Sequence, residues 1–375
     1  MGLKTQFICR RSERNTKVIV FSRGLGVGHV KRDLEVIKEL KKRIQNMNVM
    51  FCSYGSGLKY LRKKGLNTVD MKAEFTFSYC ETFIQSLITA YKIVTDFKPQ
   101  LLIGDEEFYV PVVGKMLRVP VCFITNWFPD RNDVLGLSCL DVADLIIFPG
   151  LSSNVEVPSK LVSKVLFAGP ILSSSSLKRI RSMPSKNILK RKLGYSTNQR
   201  LILVVGSTTL VDLGFLYISV KAFEVINKTF PETAMIAITS REVNKEEILE
   251  EADQKKENVK VINFVSNIIS YMAASDLVIT EGGYNLLGEL LTVDTPAIFI
   301  TFQQHRVQEQ LIKTMQEKGV VIWIPREELS VSRLSYEIHR VLSDSNILSR
   351  MSEAKKDILK EFSAKKVVDA ILQLL

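Results

Sequence analysis

Chemistry in this chain is concentrated at two glycine turns and the polar residues beside them. The first turn, Arg23-Gly24-Leu25-Gly26-Val27-Gly28-His29, follows the apolar run 18–21. The second, Gly282-Gly283, follows the apolar run 277–279 and has Asn285 and Glu289 behind it. Glycine lets a backbone come close to a ligand, and a helix that starts after such a turn offers its unpaired N–H groups to an anion. His29 stands where a strand gives way to a helix, so its imidazole could take a proton from a hydroxyl. Asp105 closes another apolar run and could orient that ring, with Glu106 and Glu107 beside it as alternatives. His29, His305 and His339 lack metal-ligand spacing, which argues against a zinc site.

The later turn has the parts of a nucleotide site. Glu289 could accept both hydroxyls of a ribose, which act as paired donors. Gly206, Ser207 and Thr208, with Gly282 and Gly283, could give backbone N–H groups to a pyrophosphate. The segment Phe302-Gln303-Gln304-His305-Arg306-Val307-Gln308-Glu309 offers amides and an imidazole to a sugar. A dinucleotide fingerprint is excluded at the first turn, because His29 replaces the last glycine and the second strand ends in Phe51-Cys52-Ser53 without an acid. No GxxxxGK loop for phosphoryl transfer is present.

The elements that must position these residues alternate. Apolar runs at 18–21, 49–52, 101–103, 119–125 and 145–148 read as strands, and Val30, Leu34, Ile37 and Leu40 form one face of a helix between the first two. Further strands are expected at 201–205, 235–239, 259–262, 277–280 and 297–301, with helices over about 346–375. Strands separated by helices imply parallel sheets and an α/β class. The expected division is 1–175, a basic linker and first helix over 176–198, and 199–375. The singled-out residues fall at carboxyl ends of strands, where ligands bind in open parallel sheets.

The 375 residues suit two such domains, and 46% hydrophobic content can fill both cores. A net charge of +11 implies an anionic partner. The charge is spread out and no nucleic-acid-binding module is visible, so nucleic acid is not expected. No uninterrupted apolar stretch is long enough for a membrane span, and residues 1–17 do not read as an export signal. Five cysteines without a CxxC pair read as reduced thiols of a cytoplasmic protein. Residues 173–210 carry no acid and many Lys and Arg. That stretch reads as a solvated basic face, with a phosphate or membrane contact as the alternative.

At these residues the chain resembles the GT-B glycosyltransferases, and among them the MurG-like family. Gly24 to His29 is similar to that family's GxGGH-type loop, and the six-residue step from Gly283 to Glu289 matches its donor motif. Phe302-Gln303 leading to Gln308-Glu309 matches its aromatic-Gln segment, with Glu309 in place of the second Gln. The resemblance implies two Rossmann-like doubly wound domains facing a central cleft, with the last helix packing back on the first. It implies that backbone at Val265, after Asn263-Phe264, meets a uracil. Gly24, Gly26, Gly28, Arg32 and Asn126 would form an acceptor or phosphate loop, and His29 with Asp105 resembles the His–Asp dyad of UDP-glycosyltransferases.

The implied reaction is inverting, metal-independent transfer from UDP-GlcNAc or a similar UDP-sugar to an acceptor hydroxyl, without a cofactor. A lipid-linked acceptor is suggested, with the enzyme peripheral on the inner face of the cell membrane; residues 79–97, apolar and aromatic, are a candidate contact although core packing also suits them. Two alternatives stand. Gly26-Val27-Gly28-His29-Val30-Lys31-Arg32 also resembles the start of UDP-sugar hydrolases of nonulosonic acid synthesis, and a split glycosyltransferase could use such a chain as a non-catalytic nucleotide-sugar-binding subunit. Oligomeric state is not legible.

Overall fold

The computed structural model describes residues 15–72, 79–150, 155–206, 212–240, 243–250, 256–265, 267–301, 306–361 and 364–375. The chain divides into two compact units, Met1–Ser176 with Phe362–Leu375, and Leu177–Glu361. In chain order the first contains β1 (Thr16–Ser22), α1 (Gly28–Leu40), β2 (Met47–Ser53), α2 (Gly55–Lys63), β3 (Thr68–Asp70), α3 (Tyr79–Phe97) and β4 (Leu101–Asp105). It continues with α4 (Tyr109–Leu117), β5 (Val121–Ile124), α5 (Val134–Asp141), β6 (Leu145–Phe148), β7 (Val165–Phe167) and α6 (Ser174–Arg181), whose later residues enter the second unit. The second contains α7 (Lys186–Lys192), β8 (Arg200–Val205), α8 (Leu213–Thr229), β9 (Thr233–Thr239), α9 (Lys245–Glu250), β10 (Val259–Asn263), α10 (Ile268–Ala274) and β11 (Leu277–Thr280). It ends with α11 (Tyr284–Leu291), β12 (Ala297–Thr301), α12 (Arg306–Glu317), β13 (Ile322–Pro325), α13 (Val331–Ser343) and α14 (Ser345–Glu361); α15 (Ala364–Ile371) returns to the first unit.

Both sheets are parallel and doubly wound. Their orders are β3-β2-β1-β4-β5-β6-β7 and β10-β9-β8-β11-β12-β13. The period of two explains how the first sheet is covered on both faces. Val18 and Val20 point into a core with α1 and α15, while Ile19 and Phe21 point into one with α3 and α4. The order of strands reverses between β1 and β4 in one unit and between β8 and β11 in the other. In this architecture a crevice opens at that reversal, beyond the carboxyl ends of the two strands. The first glycine turn leaves β1 and Asp105 ends β4, paired with Ser22 in register. Gly206 follows β8 and Gly282-Gly283 follows β11.

The expected strands are present, and β3, β7 and β13 are additional. All three are sheet edges of three or four residues; β3 and β7 are only partly buried, while β13 buries Ile322 and Ile324.

The segment 176–198, expected as a basic linker and first helix, comprises the end of α6 and all of α7. Asp276 holds α7 to the second unit through Lys186 at 3.0 Å and Lys190 at 2.6 Å, and also accepts from the Leu201 N–H at 2.8 Å. Burial would raise this carboxyl, but the two lysines and the hydrogen bonds hold it below the usual range. Ala364, Val367, Val368 and Ile371 of α15 are buried in the α1 core. Among the described residues no helix is long and apolar enough to cross a membrane.

Candidate functional site

At the first reversal the structure brings His29, Arg32 and Asp105 together. His29 and Arg32 lie one turn apart on α1. His29 Nδ1 is 2.8 Å from Asp105 Oδ1. Arg32 Nε donates to Asp105 Oδ2 at 2.9 Å, and its Nη2 also bonds Oδ1. Burial would raise Asp105, but the charge of Arg32, then His29 and the hydrogen bonds from both, hold it well below the ordinary carboxylate range. An ionised carboxylate only accepts, so His29 Nδ1 carries the hydrogen and Nε2 is left as the basic nitrogen. The Nη2 of Arg32, 3.2 Å from His29 Nδ1, is then a donor facing a donor, and its bond goes to Asp105.

Arg32 corrects an expectation. It was expected in an acceptor or phosphate loop, yet its side chain is 2% exposed and committed to the carboxylate of Asp105, which is 0% exposed. A guanidinium beside a buried carboxylate is stable only when so paired. Next to it Asp33 is also buried, and burial followed by the charge of Asp105 raises its carboxyl well above the usual range.

Gly24 corrects another. A Cβ there would sit 2.1 Å from the Tyr54 carbonyl oxygen. Its own carbonyl accepts from Gly57 N and Ser56 Oγ, each at 3.1 Å. This glycine admits the β2–α2 connection. Gly26 has φ of 75° and lets the chain turn into α1. No side chain caps α1 at Val27, and no acid lies in its first turn, so its N-terminus suits an anion.

Glu106 and Glu107 point to different partners than Asp105 does. Glu106 accepts from Arg23, Asn126 N and Trp127 Nε1 at 3.1–3.2 Å. Glu107 is buried among Tyr54 and Tyr109, and burial pushes its carboxyl up to about 7. Asn126 is half-buried after β5, in the loop that Glu106 holds.

In the second unit the two turns differ. The helix after Gly206 is closed by its own Asp212, which accepts from Phe215 N at 3.1 Å and pairs with Arg326 at 2.5 Å. The helix after Gly283 has no side-chain cap and no acid in its first turn. Among the described residues a Cβ at Gly283 would meet nothing within 4 Å, and its φ of −86° suits any residue. Gln308 Nε2 donates to the Gly282 carbonyl at 2.9 Å, tying α12 to this turn. Glu289 is half-buried on α11, and Glu309 half-buried in the first turn of α12. Val265 follows Phe264, which is left-handed at φ of 61°, and Asn263 fastens the turn through Ser240 O at 2.7 Å. Ser207, Thr208, Gln303, Gln304 and His305, and the side chain of Asn285, lie outside the described residues. Among the described residues no group of three His, Cys, Asp or Glu could hold a metal ion.

What the sequence did not reveal is the use of Arg32 inside the pair and of Glu106 as a hub. The spacing of Arg32, three residues after His29, places it on the same helix face. Glu106 carried no comparable signal.

Residues 201–371 match the glycosyltransferase family 28 C-terminal domain. Among curated proteins the chain is 24% identical to the UDP-N-acetylglucosamine--N-acetylmuramyl-(pentapeptide) pyrophosphoryl-undecaprenol N-acetylglucosamine transferase of Acetivibrio thermocellus, over 91% of this chain and 93% of that protein. Among solved structures, Acinetobacter baumannii MurG superposes with a TM-score of 0.68 at 13% identity, covering 96% of this chain and 99% of that one. A UDP-GlcNAc 2-epimerase from Neisseria meningitidis, bound to UDP-GlcNAc, superposes with a TM-score of 0.66 at 13% identity over 92% and 99%.

Proposed function

We infer that this chain, which has the GT-B fold and carries a glycosyltransferase family 28 C-terminal domain over residues 201–371, is a MurG-like glycosyltransferase using a UDP-sugar. The observation that carries the chemical half of this reading is the His29–Asp105 pair at the reversal point of the first sheet.

The proposed reaction is direct displacement. Nε2 of His29 takes the proton of the acceptor hydroxyl, whose oxygen attacks the anomeric carbon as its bond to the β-phosphate breaks. Asp105 stabilises the imidazolium that forms, and the configuration inverts. UDP leaves with the electron pair. The open N-terminus of α11 and the N–H groups at Gly282-Gly283 are assigned to the diphosphate, Glu289 to the ribose and the Val265 backbone to the uracil. Gly283 supports this: neither its φ nor any described neighbour requires glycine, and a glycine there would let a phosphate approach the backbone. Gln308, held on the glycine turn, and Glu309 are assigned to the sugar. No metal is needed where helix termini carry the leaving charge.

A lipid-linked acceptor and a peripheral membrane location belong to the same proposal. Ile84, Ile88 and Tyr91 follow at helical spacing on α3 and are 55%, 48% and 38% exposed; Met116 on the adjoining α4 is 57% exposed. Exposed Lys92, Lys115 and Arg118 lie within two residues of this apolar stripe in sequence. Apolar side chains flanked by cations suit an anionic bilayer surface.

The test incubates the protein with UDP-GlcNAc, UDP-glucose or UDP-galactose and vesicles containing polyprenyl phosphates, with and without EDTA. The reading expects UDP release with a glycolipid of inverted anomeric configuration, insensitive to EDTA. Accumulation of free sugar without glycolipid would instead favour the hydrolase, and a requirement for a divalent ion would remove the metal-free mechanism.

A further inference from the structure

Glu106, next to Asp105, stands in a left-handed backbone conformation, with φ of 57°. Glycine is the default there, because a side chain is crowded in that region. Here the carboxylate oxygens of the residue in that conformation are both bonded. Its side chain is buried, with the residue 8% exposed. Oε2 accepts from Arg23 Nη1 at 3.2 Å and from Trp127 Nε1 at 3.1 Å, while Oε1 accepts from Asn126 N at 3.1 Å. Thr125 Oγ1 also lies 3.4 Å from Oε1, but its one proton goes to the Trp127 carbonyl at 2.8 Å.

These partners come from both sides. Strand β4 lies between β1 and β5, so its carboxyl end is flanked by the turn that leaves β1 and the loop that leaves β5. Arg23 opens the first, immediately before Gly24, and Asn126 and Trp127 open the second. The backbone adds to the tie: Arg23 N donates to Asp105 O at 3.2 Å and Glu106 N to Ile124 O at 3.1 Å. The carboxylate accepts charge-assisted bonds in which Arg23 supplies the opposite charge.

We propose that Glu106 is a positioning residue that locks the Arg23 turn and the Asn126–Trp127 loop in register on either side of Asp105, so that an acceptor hydroxyl meets His29 in one orientation. This rests on the transferase reading for its consequence, and on geometry alone for the lock. The lock makes Glu106 act through its neighbours and not by contact with the reacting atoms.

Glu106→Gly separates the carboxylate from the backbone, because glycine suits the left-handed position while removing all three bonds. Glu106→Gln keeps the shape but places an amide donor against donors on one side. Both are made with Trp323→Phe, so that Trp127 is the single tryptophan reporter. The expected result is unfolding that stays cooperative at a lowered midpoint, because Arg23, Asn126 N and Trp127 Nε1 lose their acceptor, with acrylamide quenching of Trp127 in the folded protein rising at least about twofold and faster hydrogen exchange at 23–28 and 125–128. With the UDP-sugar found to be the donor, kcat is expected to fall about 10–100-fold while the donor KM stays constant. Unchanged Trp127 quenching in both variants overturns the lock, and unchanged kcat overturns its role in orientation. Should Glu106→Gly fail to fold, Glu106→Gln decides by the same readouts. Absence of any UDP-sugar binding to the parent protein would sink the transferase reading separately, with the quenching result still deciding the lock.

Discussion

The Nδ1 of His29 lies 2.8 Å from Asp105 Oδ1, at the point where the first sheet reverses its strand order. The same carboxylate is gripped by Arg32, so it is fixed in position as well as in charge. A ring held in this way can be basic only at Nε2.

Replacing His29 with Ala removes the proposed base, and Asp105→Asn removes the charge that fixes its tautomer. Each should lower turnover by about 10²–10⁴ without weakening UDP-sugar binding. Steady-state rates beside calorimetric affinities check this. Turnover within twofold of the parent in His29→Ala would exclude the base.

Two glycines that look alike in sequence should behave oppositely. Gly24→Ala forces a methyl into the Tyr54 carbonyl, 2.1 Å away, and should cost roughly 1–3 kcal/mol in urea unfolding. Gly283→Ala meets no described neighbour within 4 Å, so stability should hold while UDP affinity drops. Equal stability losses in the two would contradict the distinction.

Lys355 is buried on α14, donating to the carbonyls of Val293 at 3.2 Å and of Thr295. Burial pushes its ammonium down to about 7, only partly opposed by Asp294. Between that value and the ordinary 10.5 the unfolded chain binds the extra proton, so stability should rise with pH through the window. Below it both states are protonated, and the burial cost is fully present. Unfolding curves of the parent and Lys355→Met should therefore draw together as pH increases from 7 to 10; a constant gap would refute the shift. Glu107, raised to about 7, has the opposite sign: stability falls as pH rises from about 4.5 to 7.

The last helix belongs to the first unit by packing. Removing residues 362–375 uncovers the α1 core where Val367, Val368 and Ile371 are buried, each contributing on the order of 1.5–3 kcal/mol. Circular dichroism melting should show a large loss of stability, and an unchanged midpoint would show that α15 is dispensable.

Much of the fold was legible because both sheets are buried on two faces and their central strands read as apolar runs. The edges β3 and β7 were not, since three half-buried residues make too short a run; β13 lies in the apolar run 320–324, which the expected strands did not include. The pair of His29 and Asp105 was visible from turn chemistry and strand ends. Arg32 was seen but given the wrong task, because sequence does not tell a guanidinium turned toward a ligand from one turned into the core. Gly24 was likewise read for a ligand when the neighbour it admits is the backbone of Tyr54, thirty residues away in sequence. Glu106 was hidden for the same reason: its partners Arg23 and Trp127 come from separate loops that only the sheet order brings beside it.

A UDP-sugar is proposed to bind residues 201–371 through Glu289 and to react at His29. The deciding measurement is isothermal titration of UDP and UDP-GlcNAc into the parent, Glu289→Ala and His29→Ala proteins. Saturable binding to the parent is expected, at least about tenfold weaker in Glu289→Ala and unchanged in His29→Ala. Binding that ignores Glu289→Ala, or no binding of any UDP-sugar to the parent, would contradict it.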